Sequence, residues 1–293
     1  MPSRPPAAFV ATVLTMVACG GPAGEARAPS TRGDSGRSLP AGPSPWTTVA
    51  RGLELARFDA PAGSSTDGAV VTVVRVDPAR YRFSLLSAKL EGRAPAPTIA
   101  EWVEQHGVTG AINASMYQAD HLTSVGLLRE GGRVNNGGWT RDKAVFVAEP
   151  ARPGLPRARL LDSTCEDARG IARRYRLVAQ SIRMLDCRGR NVWAAQDTRT
   201  SVACVGTDAA GRVLLVHCRR PVRTHDLVDL LLALPLDVRR LMYVEGGPQA
   251  VLHVRVDGRD VVSEVGRPAE GGLLAEAARL YVPLPNALAF SPR

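Results

Sequence analysis

The sequence predicts an α/β fold of the mixed α+β kind, a single domain of mixed β-sheets flanked by helices, preceded by a signal peptide and a flexible tether. Three observations carry this. Short apolar, β-branched runs such as Ala69–Val76 alternate with a few segments of helical character. No internal repeat and no second linker divides the chain after residue 45. With 293 residues, 45% of them apolar, the chain can also bury an ordinary core without metal. Disordered, low-complexity and collagen-like classes are excluded by the same composition.

Residues 1–18 read as an address. Arg4 precedes a run from Ala7 to Ala18 that is apolar but well short of the about 20 residues needed to span a bilayer. Met16-Val17-Ala18-Cys19 resembles the lipobox of bacterial lipoproteins, with Met16 in place of the usual Leu. The resemblance implies acylation of Cys19 and a lipid anchor at the bacterial cell envelope, in the outer membrane or periplasm. An ordinary secretory signal is the alternative. Residues 19–45 are rich in Gly, Pro, Ala and Ser, a composition that cannot order itself, and read as a tether. The Gly33-Asp34-Ser35-Gly36 segment within it has no fixed base or oxyanion donor around it, so it is no nucleophile site.

The body then follows in order. Ala69–Val76 and Tyr81–Ala88 are strands joined by the turn Asp77-Pro78-Ala79-Arg80. Thr98 and Glu101 have capping-box spacing and open a helix to about His106, which Gly107 stops. Val108–Asn113 is a strand that delivers Asn113 into a loop. Thr200–Thr207 and Arg212–His217 form a hairpin around Asp208–Gly211. Thr224 caps a helix running to about Leu234, before Pro235. Leu241–Val244 is a short buried strand ending at Glu245-Gly246-Gly247-Pro248.

Charge says little about partners. The formal net charge is +9, and only Lys89 and Lys143 among the 37 basic residues are lysine. The arginines are scattered, with doublets such as Arg173-Arg174, and lack the interleaved aromatics of a nucleic-acid stripe, so no nucleic-acid partner is expected. After residue 45 the charge is +7 and four cysteines remain, Cys165, Cys187, Cys204 and Cys218. In an oxidising compartment these form one or two disulfides, in any of three pairings, or stay as buried thiols. No close-spaced Cys/His pattern suggests zinc. Asp186, Asp208 and Asp226 could meet calcium but read as turn and helix-start acids, so no metal or other cofactor is predicted.

Two places carry candidate chemistry. Glu245-Gly246-Gly247 sets a carboxylate at the end of an apolar strand beside two residues without side chains, where substrate can approach the backbone. A plain hairpin turn between Leu241–Val244 and Ala250–Val256 explains the segment equally well. Asn113-Ala-Ser-Met-Tyr117 again sends polar groups out from a strand end.

Four segments in order, Asn113–Tyr117 with Ser124–Leu128, Ala179–Leu185, Arg199–Val202 with Asp208–Val216, and Tyr243–Pro248, resemble the phosphodiester glycosidase family. The resemblance implies a hydrolase that cleaves a sugar from a sugar-1-phosphodiester in envelope or extracellular glycans. It implies catalytic roles for Glu245 as base or nucleophile, Asn113 as a donor to substrate and Arg199 as the phosphate grip. Substrate contacts are implied at Gly246, Gly247, Tyr117, Gln180, Arg183 and Asp120, with His121 and Asp120 as reserve acid/base groups. Glu245 replaces the Asp of the family pattern, Ile182-Arg183 its Gly-Pro and Pro248-Gln249 its Gly-Ser. The alternative is a non-catalytic envelope lipoprotein that binds anionic polysaccharide or a protein partner.

Overall fold

A computed structural model of the chain describes residues 44–267 and 282–293. The signal peptide, Cys19 and the tether up to residue 43 lie outside the described residues.

The strands are β1 (Thr47–Ala50), β2 (Leu53–Asp59), β3 (Val70–Val76), β4 (Tyr81–Ser87), β5 (Gly110–Asn113), β6 (Leu128–Glu130), β7 (Arg133–Asn136) and β8 (Ala144–Pro150). They continue with β9 (Ala158–Asp162), β10 (Tyr175–Arg183), β11 (Arg199–Asp208), β12 (Val213–Arg223), β13 (Val238–Gly246), β14 (Val251–Val256), β15 (Arg259–Val265) and β16 (Asn286–Pro292). Among the described residues, four short helices sit between them: α1 (Ala88–Glu91), α2 (Ile99–Gln105), α3 (Ala168–Ala172) and α4 (Thr224–Ala233).

An eleven-stranded sheet runs β1-β2-β3-β12-β11-β13-β10-β6-β7, with β8 on β10 and β9 on β8; a five-stranded sheet runs β15-β14-β5-β16-β4. The main core fills the space between them, where Phe83, Ile112, Leu252 and Phe290 of the small sheet meet Val74, Phe146, Leu215 and Val244 of the large one. Helix α4 covers the outer face of the large sheet through Leu227, Val228 and Leu231. Helix α2 covers the small sheet through Ile99, Trp102 and Val103. Trp102 is fully buried and its indole donates to the Leu284 carbonyl at 2.7 Å, so truncating it to Ala costs about 3–5 kcal/mol.

The predicted mixed sheets are corrected by this arrangement. Every strand pairing among the described residues is antiparallel, and the domain is mostly β with few short helices. The reason lies in burial. Strands β3, β11 and β12 are covered on both faces, so they read as continuous apolar runs, the pattern otherwise typical of parallel α/β strands.

Local expectations fare better. The Thr98–Glu101 capping box forms with both reciprocal bonds. Strands β11 and β12 make the expected hairpin, whose turn is closed by the Asp208 carboxylate accepting from the Ala210 and Arg212 amides at 2.9 Å. Thr224 is a correction: β12 runs straight into α4, so Arg223 is the cap, without a side-chain cap bond, and Thr224 is a buried first helical residue. Of the possible disulfides, Cys165–Cys187 forms, and Cys204 and Cys218 are buried free thiols.

Candidate functional site

The two ends of β13 belong to different environments, and a register shift makes the change. Tyr243 pairs with Cys204 while Glu245 pairs with Ala203, so Val244 is an extra residue between two consecutive partners. Such a bulge re-aims the side chain that follows it. Glu245 thereby falls opposite Ala203, a residue of the core between the sheets.

After Gly246 the chain leaves the large sheet, makes one 3-10 turn at Gly247–Gln249 and enters the small sheet as β14. This decides against the plain hairpin, since β13 and β14 do not pair. The turn needs both glycines for different reasons. A side chain at Gly246 would collide with the Tyr243 hydroxyl, and Gly247 has φ +67°, which L side chains rarely adopt.

Both sheets pin the turn. Asn113, fully buried at the end of β5, donates from Nδ2 to the Gln249 carbonyl at 2.9 Å and accepts at Oδ1 from the Val251 amide at 2.8 Å. His217 Nε2 lies 3.0 Å from the Ala250 carbonyl, which can only accept, so that nitrogen carries the proton. Burial holds the His217 pKa below its ordinary value, consistent with a neutral ring. The Gly266 amide donates to the same carbonyl at 2.8 Å.

A cleft of about 290 Å³ opens beside the turn, lined by Tyr117, His121, Pro248, Gln249, Val282, Pro283 and Pro285. Tyr117 and His121 come from the loop after β5. That loop is shaped by a buried network in which Asn135 accepts from the Ser124 amide at 2.7 Å and donates to Asn286 Oδ1 and Ser87 Oγ, both at 2.9 Å. The two rings lie 5.5 Å apart.

Glu245 is the electrostatic anomaly. Among the described residues its one hydrogen bond comes from the next amide, Gly246 N–H, at 3.0 Å, and no ion pair reaches it. Burial raises its pKa from the ordinary 4.5 to about 7, with the Gly246 bond opposing only in part. Its charge in turn raises the pKa of Tyr117 and Tyr243, in each case after the larger effect of burial. A buried carboxyl near two phenols and, among the described residues, without a paired cation can take up or release a proton near neutrality.

The other expected residues take different positions. Arg199 is exposed at the start of β11, four residues before the partner of Glu245, and its guanidinium lies 3.4 Å from the Ser65 carbonyl, away from the cleft lining. Gln180 is fully buried and spends its whole amide on backbone: Oε1 accepts from Thr140 and Leu127, and Nε2 donates to Asp142 and Thr140. Arg183 pairs with the buried Asp162 at 2.8 Å. Burial alone would raise the Asp162 pKa, but the hydrogen bonds from Arg183 and Thr164 outweigh it and hold the carboxylate ionised. Asp120 caps its own loop, and bonds from the Thr123 hydroxyl and the Thr123 and Leu122 amides lower its pKa to about 2, unsuited to general acid work at neutral pH. Gln180 and Asp120 thus spend their side chains on the frame and Arg183 is tied to Asp162, and the structure brings none of the three into the lining of the cleft beside Glu245.

Asp186, Asp208 and Asp226 each pair with a nearby arginine. Asp162, Cys165 and Cys187 cluster, but the disulfide leaves no thiolate to ligate a metal. Tyr243, His217 and Gln249 were missed. Tyr243 had a signal, its place two residues before Glu245 on one strand; the other two had none.

The family model described as phosphodiester glycosidase matches residues 106–290, more than half of the chain. The fold is similar to the zebrafish N-acetylglucosamine-1-phosphodiester alpha-N-acetylglucosaminidase catalytic domain auto-inhibited by its pro-peptide, at TM-score 0.62 and 12% identity over 84% of this chain and 86% of that one. It is also similar to a hypothetical protein from Synechocystis, at TM-score 0.56 and 12% identity over 85% of this chain and 63% of that one. No curated protein sequence matches the chain. With a domain match that spans the Glu245 turn, the Asn113 strand and the strands between them, the chain belongs to the phosphodiester glycosidase family.

Proposed function

We propose that the protein is a hydrolase that cleaves a sugar from a sugar-1-phosphodiester, with Glu245 as the base or nucleophile at the anomeric carbon. The observation that carries this reading is the partly buried Glu245, without an ion pair among the described residues, whose charge acts on Tyr117 of the apolar cleft within the family domain. Ordinary glycosidases use two carboxyl groups because an alkoxide must be protonated as it leaves. A phosphate monoester leaves as an anion, so one carboxylate suffices. Burial without a counter-charge makes Glu245 a stronger base than an exposed glutamate, poised near the operating pH. Asn113 acts by holding the Gly247–Gln249 turn. Tyr117 supplies a phenol that stays protonated and a ring for the sugar to lie against. Arg199 takes no part in this reading.

Purified protein incubated with a panel of sugar-1-phosphodiesters is expected to release free sugar, and Glu245→Gln to abolish the release. Release that persists in the variant would overturn the assignment.

A non-catalytic role in binding anionic polysaccharide is the second reading, favoured by Glu245 standing one methylene longer where the family pattern has Asp. No release from any substrate of the panel would favour it. For location we propose an envelope lipoprotein acylated at Cys19, supported by the Cys165–Cys187 disulfide, which forms in oxidising compartments. Cys19→Ser is expected to move the protein from the membrane to the soluble fraction.

A further inference from the structure

Arginines look dispersed along the sequence, but the fold gathers three of them. The loop after β8 and the residues after α3 are tied by the Ala151 amide donating to the Arg174 carbonyl at 2.8 Å. Between them lies a cavity of about 580 Å³ lined by Ala151, Arg152, Pro153, Leu155, Arg173 and Arg174, with Gly154 completing the loop. All three arginines are exposed, and none makes an ion pair among the described residues. No acidic side chain is in the lining.

Their neighbours behave differently. Arg159 pairs with Glu166 at 2.6 Å, Arg169 stands 5.0 Å over the Trp139 ring, and Arg129 donates to the carbonyls of Ala172 and Tyr175. In one corner of the molecule, arginines with internal partners surround a concavity whose own three have none. Three like charges in one depression repel each other and concentrate positive potential there, an arrangement relieved by an anion. Guanidinium forks suit sulfate, phosphate and carboxylate groups, which they bind bidentately.

We propose that Arg152, Arg173 and Arg174 form a docking site for the anionic groups of a polysaccharide. The site lies at the Tyr175 end of β10, whereas the Glu245 strand meets β10 at Ile182. From there antiparallel β13 carries Glu245 two residues back toward Tyr175, so about five residues of strand separate them, roughly 16 Å at about 3.3 Å per residue. A small substrate cannot occupy both, but a polymer can be held at the arginines while another repeat enters the cleft. The lining has no aromatic ring, so unstacked bases find no platform there. The choice of a glycan over other polyanions rests on the reading in the previous subsection.

The test is binding of fluorescein-labelled dextran sulfate to the full chain, followed by anisotropy at about 50 mM and 200 mM salt. This probe contains no sugar-phosphodiester bond, so its binding is read independently of catalysis. The R152A/R173A/R174A variant is expected to bind about tenfold or more weakly. A variant with the same charge removed elsewhere, R51A/R188A/R239A, is expected to bind within about threefold of the parent. Equal losses in the two variants would overturn the site, since net charge alone would explain binding. Labelled single-stranded DNA that binds as tightly, with the same dependence on the three arginines, would overturn the glycan assignment. Should the triple variant melt early, Arg152→Glu on the exposed loop makes the same comparison, and an unchanged affinity there overturns the proposal.

Discussion

Two motif-bearing regions of this domain end in opposite states. At Glu245 the carboxyl keeps one hydrogen bond, to the adjacent amide, and burial drives its pKa to about 7. Around Gln180 and Arg183, also strand residues in a motif, the Gln180 amide is fully spent on Thr140, Asp142 and Leu127, and Arg183 is tied to Asp162 and Thr164 through one guanidinium nitrogen. A buried polar group with all its bonds made rigidifies a fold, whereas one left short of partners is free to act on something else. Family resemblance alone does not separate the two, and the hydrogen bonds do.

The largest expected effect is on activity at the first region. Glu245→Gln should lower kcat/KM on a cleavable sugar-phosphodiester by about 1,000-fold or more, the scale of losing a required base. Its stability should move the other way. A carboxyl whose folded pKa lies above its unfolded value binds more protons in the native state, so stability falls as pH rises from about 4.5 to about 7 and is flat beyond. Thermal melts should show the Gln variant gaining on the parent through that window, by about 2 kcal/mol at pH 8. A variant less stable than the parent at pH 8 would erase the contrast between the regions.

Next in size is the second region. Gln180→Ala leaves the Thr140 and Leu127 amides and two carbonyls without partners and should cost about 2–4 kcal/mol by denaturant unfolding. The kcat per folded molecule should stay within about twofold, because no reacting group is lost. Tyr117→Phe should be milder, reducing kcat/KM about tenfold with little change in melting temperature. Smallest is Arg199→Ala, within about threefold of the parent in kcat/KM, since its guanidinium meets the Ser65 carbonyl rather than the cleft.

How far the sequence reaches follows the same division. The α2 cap, the β11–β12 hairpin and the strand end at Glu245 are local and were legible. What the sequence hid is relational. Strands buried on both faces read as continuous apolar runs, so the run Val213–Cys218 does not by itself show that every sheet is antiparallel. The crossing of Gly247–Gln249 from one sheet to the other, and the bulge that swings Glu245, depend on pairing partners more than 30 residues away. Asn113 was found, but its role shifted from touching substrate to holding the turn, because the carbonyl and amide it meets lie 136 and 138 residues on. The separation of arginines with partners from those without, as at Arg173-Arg174, likewise needs the fold.

The central claim is that Glu245 works as a base of pKa near 7 on a sugar-phosphodiester. The pH profile of kcat/KM tests it most directly. The account predicts a rate that climbs tenfold per pH unit up to about 7 and then levels, with the rise absent in Glu245→Gln. A rate that instead falls as pH rises through 7, or a profile that the substitution leaves unchanged, would contradict it.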